Sequence, residues 1–100
     1  MRRITIFGAT GSIGENTVDL LARRPGAYEV VALTGGRNVA RLAEQAKALR
    51  AGLAVTCYPE CHAALREALA GTGIETAAGA DAFIVAADRP ADWLMSGIVG

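Results

Sequence analysis

Neither sign of charge dominates this chain: 10 lysines and arginines stand against 10 aspartates and glutamates in 100 residues. That balance argues against the basic footprint of a nucleic-acid binder and the polybasic patch of a membrane-surface protein. No apolar run approaches the ~18 residues that a bilayer span needs. Arg2 and Arg3 lie near the N-terminus, but the apolar stretch after them falls short of the ~7–15 residues of a signal-peptide core. Cysteine is scarce. Cys57 and Cys61 are the only two, and His62 follows directly. No second ligand pair is present, whereas a structural zinc wants four ligands. Reduced, half-buried thiols in a cytoplasmic protein are the expectation. Repeats, low-complexity tracts and internal linkers are missing too. An apolar content of 52% then suffices for one small domain with a core.

Glycine, by contrast, is concentrated where it carries information. The stretch Ile4-Thr5-Ile6-Phe7 runs into Gly8-Ala9-Thr10-Gly11-Ser12-Ile13-Gly14, and a helical pattern follows at once. A buried strand, a glycine turn and a helix N-terminus are the parts of a dinucleotide-binding turn, in which free N–H groups and a positive dipole end meet a pyrophosphate. The spacing is G-x-x-G-x-x-G, one residue longer in its first gap than the commonest fingerprint. Gly8 would make the turn, Gly11 would admit the phosphate to the backbone, and Gly14 would let helix and strand pack closely. A plain strand–loop–helix connection would also use glycine, so the motif gains force only from its place after the first strand.

The remaining pattern alternates strands and helices. Strands are expected at Arg3–Phe7, Tyr28–Thr34, Leu53–Cys57, Ile74–Ala77 and Trp93–Val99. Helices are expected at Ser12–Arg24, from the Asn38 N-cap through Leu49, at Pro59–Ala70 and, weakly, at Ala80–Ala87. In the first helix Ile13, Thr17, Leu20 and Leu21 form the apolar stripe, with Asp19 and Arg23 in water; Pro25-Gly26 stops it. In the second, Val39, Leu42, Ala46 and Leu49 face inward and Arg41, Glu44 and Lys47 outward. In the third the stripe is Cys61, Ala64, Leu65, Ala68 and Leu69, ended by Gly71. His62 is expected on its solvated flank, and Trp93 as a packing residue. Short connections between alternating elements imply a Rossmann-like, doubly wound parallel sheet: an α/β fold in three layers, αβα, with its crevice at the carboxyl ends of the strands.

An NAD site places an acid at the end of the second strand, roughly 20 residues past the glycines. Here that place holds Leu33-Thr34-Gly35-Gly36-Arg37-Asn38, with no carboxylate. Arg37 offers a planar, permanently charged fork and the following helix start offers N–H groups, which suits the 2′-phosphate of NADP. The alternative for Arg37 is an ordinary surface arginine before a helix.

These residues carry a family likeness. Gly8 to Gly14, Thr17-Val18-Asp19, Pro25, Val30-Val31-Ala32-Leu33, Gly36-Arg37-Asn38-Val39 and Gly97-Ile98-Val99-Gly100 together resemble the start of the 1-deoxy-D-xylulose 5-phosphate reductoisomerase family. The likeness is most specific in the first forty residues and weak from Arg50 to Asp92. The family often has lysine in place of Arg37 and serine in place of Ala9. The resemblance implies that residues 1–100 form the NADPH-binding domain of a longer enzyme. Thr10, Gly11, Ser12 and Ile13 would line the cofactor phosphates, and Gly36, Arg37 and Asn38 would hold the adenosine end. It further implies a sugar phosphate substrate, a magnesium or manganese ion held by acids beyond this chain, a mobile lid, and a homodimer. No catalytic residue or metal ligand is expected within these 100 residues. Two other readings stand beside it: the NADP domain of another reductase with a G-A-T-G turn, and a non-enzymatic NADP-sensing module. A semialdehyde dehydrogenase or extended short-chain reductase would need a cysteine nucleophile or a Tyr-Lys pair, and neither arrangement is present.

Overall fold

The computed structural model describes residues 2–8, 19–21, 23, 28–89 and 91–96. Five strands form one sheet: β1 (Arg2–Phe7), β2 (Tyr28–Gly35), β3 (Leu53–Thr56), β4 (Glu75–Ala78) and β5 (Trp93–Ser96). Their spatial order is β4-β3-β2-β1-β5, and every neighbouring pair is parallel. Between them lie α1 (Val39–Leu49), α2 (His62–Ala68) with a 3-10 turn at Pro59–Cys61 leading into it, and α3 (Ala80–Asp88). The expected α/β architecture is therefore present, with strand boundaries within a residue of expectation except at the end of β5, since Gly97–Gly100 lie outside the described residues.

Parallel strands must be covered on both faces, and alternate residues divide the core accordingly. Ile4, Ile6, Val30, Leu33 and Ala54 pack with Leu42 and Ala46 of α1, and with Leu65 and Leu69. Ala32, Leu53 and Val55 point the other way and pack with Ala82 and Ala86 of α3. Two registers steer this arrangement. Ile4 lies opposite Val30 but Thr5 lies opposite Ala32, so Val31 is an extra residue that bulges β2. At the other edge the Arg3 N–H donates to the Asp92 carboxylate and the Asp92 N–H returns to the Arg3 carbonyl, both at 2.8 Å. That reciprocal clasp starts β5 and aligns Ile4 with Trp93.

Several expectations need correction in detail. Most of the first expected helix, and the Pro25-Gly26 stop, lie outside the described residues. Residues 19–21 are helical, Arg23 and Asp19 pair at 3.0 Å, and Leu21 packs on the core. Leu20 is instead 63% exposed, because adjacent helical residues diverge by about 100° and only one of the two leucines meets the sheet. In α1, Leu42 and Ala46 are buried as expected, but Ala43 and Gln45 join them, while Val39 and Leu49 are only half-buried. In α2 the expected five-residue stripe shrinks. Leu65 and Leu69 are buried, Cys61 and Ala68 are half-buried, and Ala64 is exposed. Ala64 lies about 100° round the helix from Leu65, on the side turned to solvent. His62 is half-buried, not solvated: its Nε2 lies 3.2 Å from Thr76 Oγ1, because β4 runs beside the first turn of α2. Both cysteines are free and half-buried. The packing expected of Trp93 concerns a side chain outside the described set.

The α2 correction has a measurable consequence. Leu65→Ala should lower stability by ~2–5 kcal/mol through lost burial and a cavity. Ala64→Gln, on the exposed side, should stay within about 0.5 kcal/mol. Urea unfolding of the two variants checks the assignment, and equal losses would restore the sequence-based stripe.

Candidate functional site

Chain direction makes one edge of the sheet special. From β1 the strands progress outward through β2 and β3 to β4, and the chain then returns to lay β5 on the far side of β1. α1 and α2 cover one face and α3 the other, so a topological switch point lies between β1 and β5, at their carboxyl ends. The chain leaves β1 through Gly8, whose φ of 73° is the left-handed conformation that glycine adopts without steric cost. Its N–H donates to Thr34 Oγ1 on β2 at 3.0 Å. The glycine-rich segment thus begins at the switch point, tied to the neighbouring strand. Thr10, Gly11, Ser12 and Ile13 lie outside the described residues.

Gly36, Arg37 and Asn38 are described, and they stand together where β2 hands over to α1. The Gly36 carbonyl accepts from Thr56 Oγ1 at 2.9 Å, and the same hydroxyl oxygen accepts from the Tyr58 N–H at 3.3 Å. The Gly35 carbonyl accepts from the Cys57 N–H at 3.0 Å. One threonine at the end of β3 therefore joins the two connections that follow β2 and β3. Asn38 caps α1 as expected, its Oδ1 accepting from the Arg41 N–H at 3.3 Å. The Val39 N–H donates to the Arg37 carbonyl at 2.8 Å. Two first-turn N–H groups are thus engaged within the chain, and the strong positive charge at this edge comes from Arg37.

The Arg37 side chain is 67% exposed. Its Cζ lies 4.0 Å from the centre of the Tyr58 ring, and its Nη1 lies 3.4 Å from Glu60 Oε1. Tyr58 and Glu60 come from the segment after β3, and the local sequence around Arg37 gave no sign of them. Thr34 and Thr56 were missed as well, although hydroxyl residues at the ends of two adjacent parallel strands are a signal that can be sought. On the other face Phe7 and Phe83 pack with ring centroids 6.3 Å apart and planes at 55°, bracing α3 against the end of β1. Among the described residues no three His, Cys, Asp or Glu side chains gather as a metal would require. No described helix is long and apolar enough to cross a membrane.

Fold and switch point define the class: a doubly wound α/β domain of the Rossmann type, with Arg37 and no carboxylate in the stretch from Leu33 to Asn38 that ends β2. The family model of 1-deoxy-D-xylulose 5-phosphate reductoisomerase matches residues 4–100. The reductoisomerase of Cereibacter sphaeroides is 67% identical over 102 residues, covering 100% of this chain and 26% of the relative. That of Ruegeria pomeroyi is 61% identical over 100 residues, covering 100% of this chain and 25% of the relative. The Zymomonas mobilis enzyme, solved in complex with NADPH, superposes with a TM-score of 0.95 at 50% identity, over 99% of this chain and 26% of that one. Another reductoisomerase, solved with NADPH, fosmidomycin and magnesium, gives a TM-score of 0.90 at 31% identity, over 100% of this chain and 25% of that one. The chain belongs to the 1-deoxy-D-xylulose 5-phosphate reductoisomerase family, and it spans about a quarter of the length of these relatives.

Removing the Thr34 acceptor should cost ~1–3 kcal/mol, because the Gly8 N–H loses its partner in a half-buried place. Thr34→Val is the test and Thr34→Ser the control. Native-state hydrogen exchange at Gly8 should accelerate in the valine variant and stay protected in the serine variant.

Proposed function

We propose that residues 1–100 are the NADPH-binding domain of an enzyme that converts 1-deoxy-D-xylulose 5-phosphate to 2-C-methyl-D-erythritol 4-phosphate, in the non-mevalonate route to isoprenoids. The observation that carries this reading is Arg37, with no carboxylate from Leu33 to Asn38, at the carboxyl end of β2 in a chain of this family. Thr10, Gly11, Ser12 and Ile13 line the cofactor phosphates where the chain leaves the switch point. Gly36, Arg37 and Asn38 take the adenosine end. A guanidinium can meet a phosphate with two parallel N–H donors, which a ribose hydroxyl cannot match. NADPH supplies the hydride that reduces the rearranged aldehyde. This domain binds and orients it, and the sugar phosphate lies against a second wall contributed by the rest of the enzyme.

A magnesium or manganese ion belongs to the same reading, but the described residues offer no ligand cluster for it. Its acids are assigned to the remainder of the enzyme. The family likeness also supports a homodimer acting in the cytoplasm, and the balanced charge supports a partner that is a small molecule and not a nucleic acid.

Three measurements test this. Fluorescence titration of the full-length protein should give tighter binding of NADPH than of NADH by about tenfold to a hundredfold, the worth of a charge-assisted contact of ~1.5–3 kcal/mol. Arg37→Glu should lose NADPH and spare NADH. The full-length protein should consume NADPH with 1-deoxy-D-xylulose 5-phosphate and magnesium. Absence of turnover would sink the activity, whereas equal cofactor affinities would sink only the role of Arg37. Gly11→Val should abolish cofactor binding with the circular dichroism spectrum unchanged, since the added side chain would fill the phosphate's space.

A further inference from the structure

Among the described residues Arg37 meets Tyr58 and Glu60, and they act on it in different ways. Tyr58 meets the guanidinium through its ring, 4.0 Å from the centroid. A face contact of that kind uses none of the five N–H donors, so it can persist while the edge of the guanidinium takes an anion. The ring is itself well placed. Tyr58 is half-buried, its N–H is tied to Thr56 Oγ1, and its Cε2 lies 3.6 Å from where a Cβ on Gly36 would sit. Glu60, in contrast, occupies the N–H edge. Its carboxylate is 3.4 Å from Nη1, longer than a strong charge-assisted hydrogen bond, and the two side chains are 67% and 58% exposed. Such a pair is weak and open to exchange.

We infer that Tyr58 and Glu60 set the cofactor preference of this domain: Tyr58 positions the Arg37 guanidinium, and Glu60 is the counter-ion that a ribose 2′-phosphate must displace. The inference rests on the reading of Arg37 as the 2′-phosphate residue. A phosphate dianion carries more charge than the carboxylate and offers matched oxygens, so it wins the exchange. Glu60 then remains nearby as a like charge and weakens the complex. A cofactor with a free 2′-hydroxyl meets no such repulsion, and the hydroxyl can donate a hydrogen bond to a carboxylate. Glu60 therefore narrows the preference for NADPH. The acid missing from the end of β2 is supplied from the segment after β3, within reach of the arginine that replaces it.

The test is a titration of NADPH and NADH against the full-length protein carrying Glu60→Gln, Tyr58→Leu, Tyr58→Phe or Arg37→Ala, and the pair Glu60→Gln with Arg37→Ala. Glu60→Gln should tighten NADPH by about two- to fivefold without tightening NADH, the scale of an exposed ion pair. Tyr58→Leu should weaken NADPH by about two- to fivefold and leave NADH unchanged, and Tyr58→Phe should restore it. In the Arg37→Ala background the Glu60→Gln gain should shrink to that of relieved repulsion alone. If Glu60→Gln leaves NADPH affinity unchanged, weakens it, or tightens both cofactors equally while Arg37→Ala still cuts NADPH binding, the role of Glu60 is overturned and the reading of Arg37 stands. If Arg37→Ala leaves NADPH binding unchanged, both fall. Should Tyr58→Leu fail to fold, Tyr58→Phe and Glu60→Gln decide the matter.

Discussion

Five strands running the same way bring five carboxyl ends to one edge of the sheet, and the rest of this molecule is organised by that constraint. A parallel sheet cannot be closed by tight hairpins, so each strand must be followed by a crossover that packs on a face. The residues that leave a strand are then free of the ladder and rise above the edge. Gly8, Gly36, Arg37, Asn38 and Tyr58 are all of this kind. The return of the chain from β4 to β5 places β5 on the far side of β1, and Gly8 starts the glycine-rich segment at that switch point.

Short hydroxyl side chains make that edge coherent. Connections above a sheet have backbone groups that the ladder no longer satisfies, and buried or half-buried ones need partners. Thr34 meets the Gly8 N–H, while Thr56 meets the Gly36 carbonyl and the Tyr58 N–H. Each threonine ties down the connection of a neighbouring strand, and Thr56 its own as well, so the positions of Gly8 and Arg37 depend on β2 and β3 respectively. Arg37, the one strong cation in the stretch from Leu33 to Asn38, is thereby set beside an aromatic ring and an acid that are distant from it in sequence.

How far the sequence could be read depended on the range of the interactions involved. Strands such as Val30-Val31-Ala32-Leu33 and Leu53-Ala54-Val55 were visible because a strand buried on both faces must be apolar throughout. The cap at Asn38 was visible because an N-cap bonds within its own first turn. The stretch that holds Gly36, Arg37 and Asn38 was singled out by the spacing from the glycines to the end of the second strand, a distance measured along the chain. The stripe in α2 was misjudged at Ala64, since a small apolar residue at the margin of a helical stripe falls inside or outside the core according to how the helix is rotated against the sheet, which its own spacing does not record. His62 was misplaced because its partner Thr76 is fourteen residues on, in another strand.

The sequence by itself thus determined the alternation of elements, the parallel sheet that alternation requires, the glycine turn after β1, and the presence of Arg37 where an NAD enzyme keeps an acid. These follow from periodicity, local backbone chemistry and spacing, which act within a few residues or along one crossover. Only the tertiary structure decided what surrounds Arg37. Whether a guanidinium stands alone, stacks on a ring or faces a carboxylate depends on which segments the sheet order brings side by side, and β3 lies next to β2 through hydrogen bonds between strands that no local pattern records. For that reason Tyr58 and Glu60, both just past the end of β3, reach the arginine that follows β2.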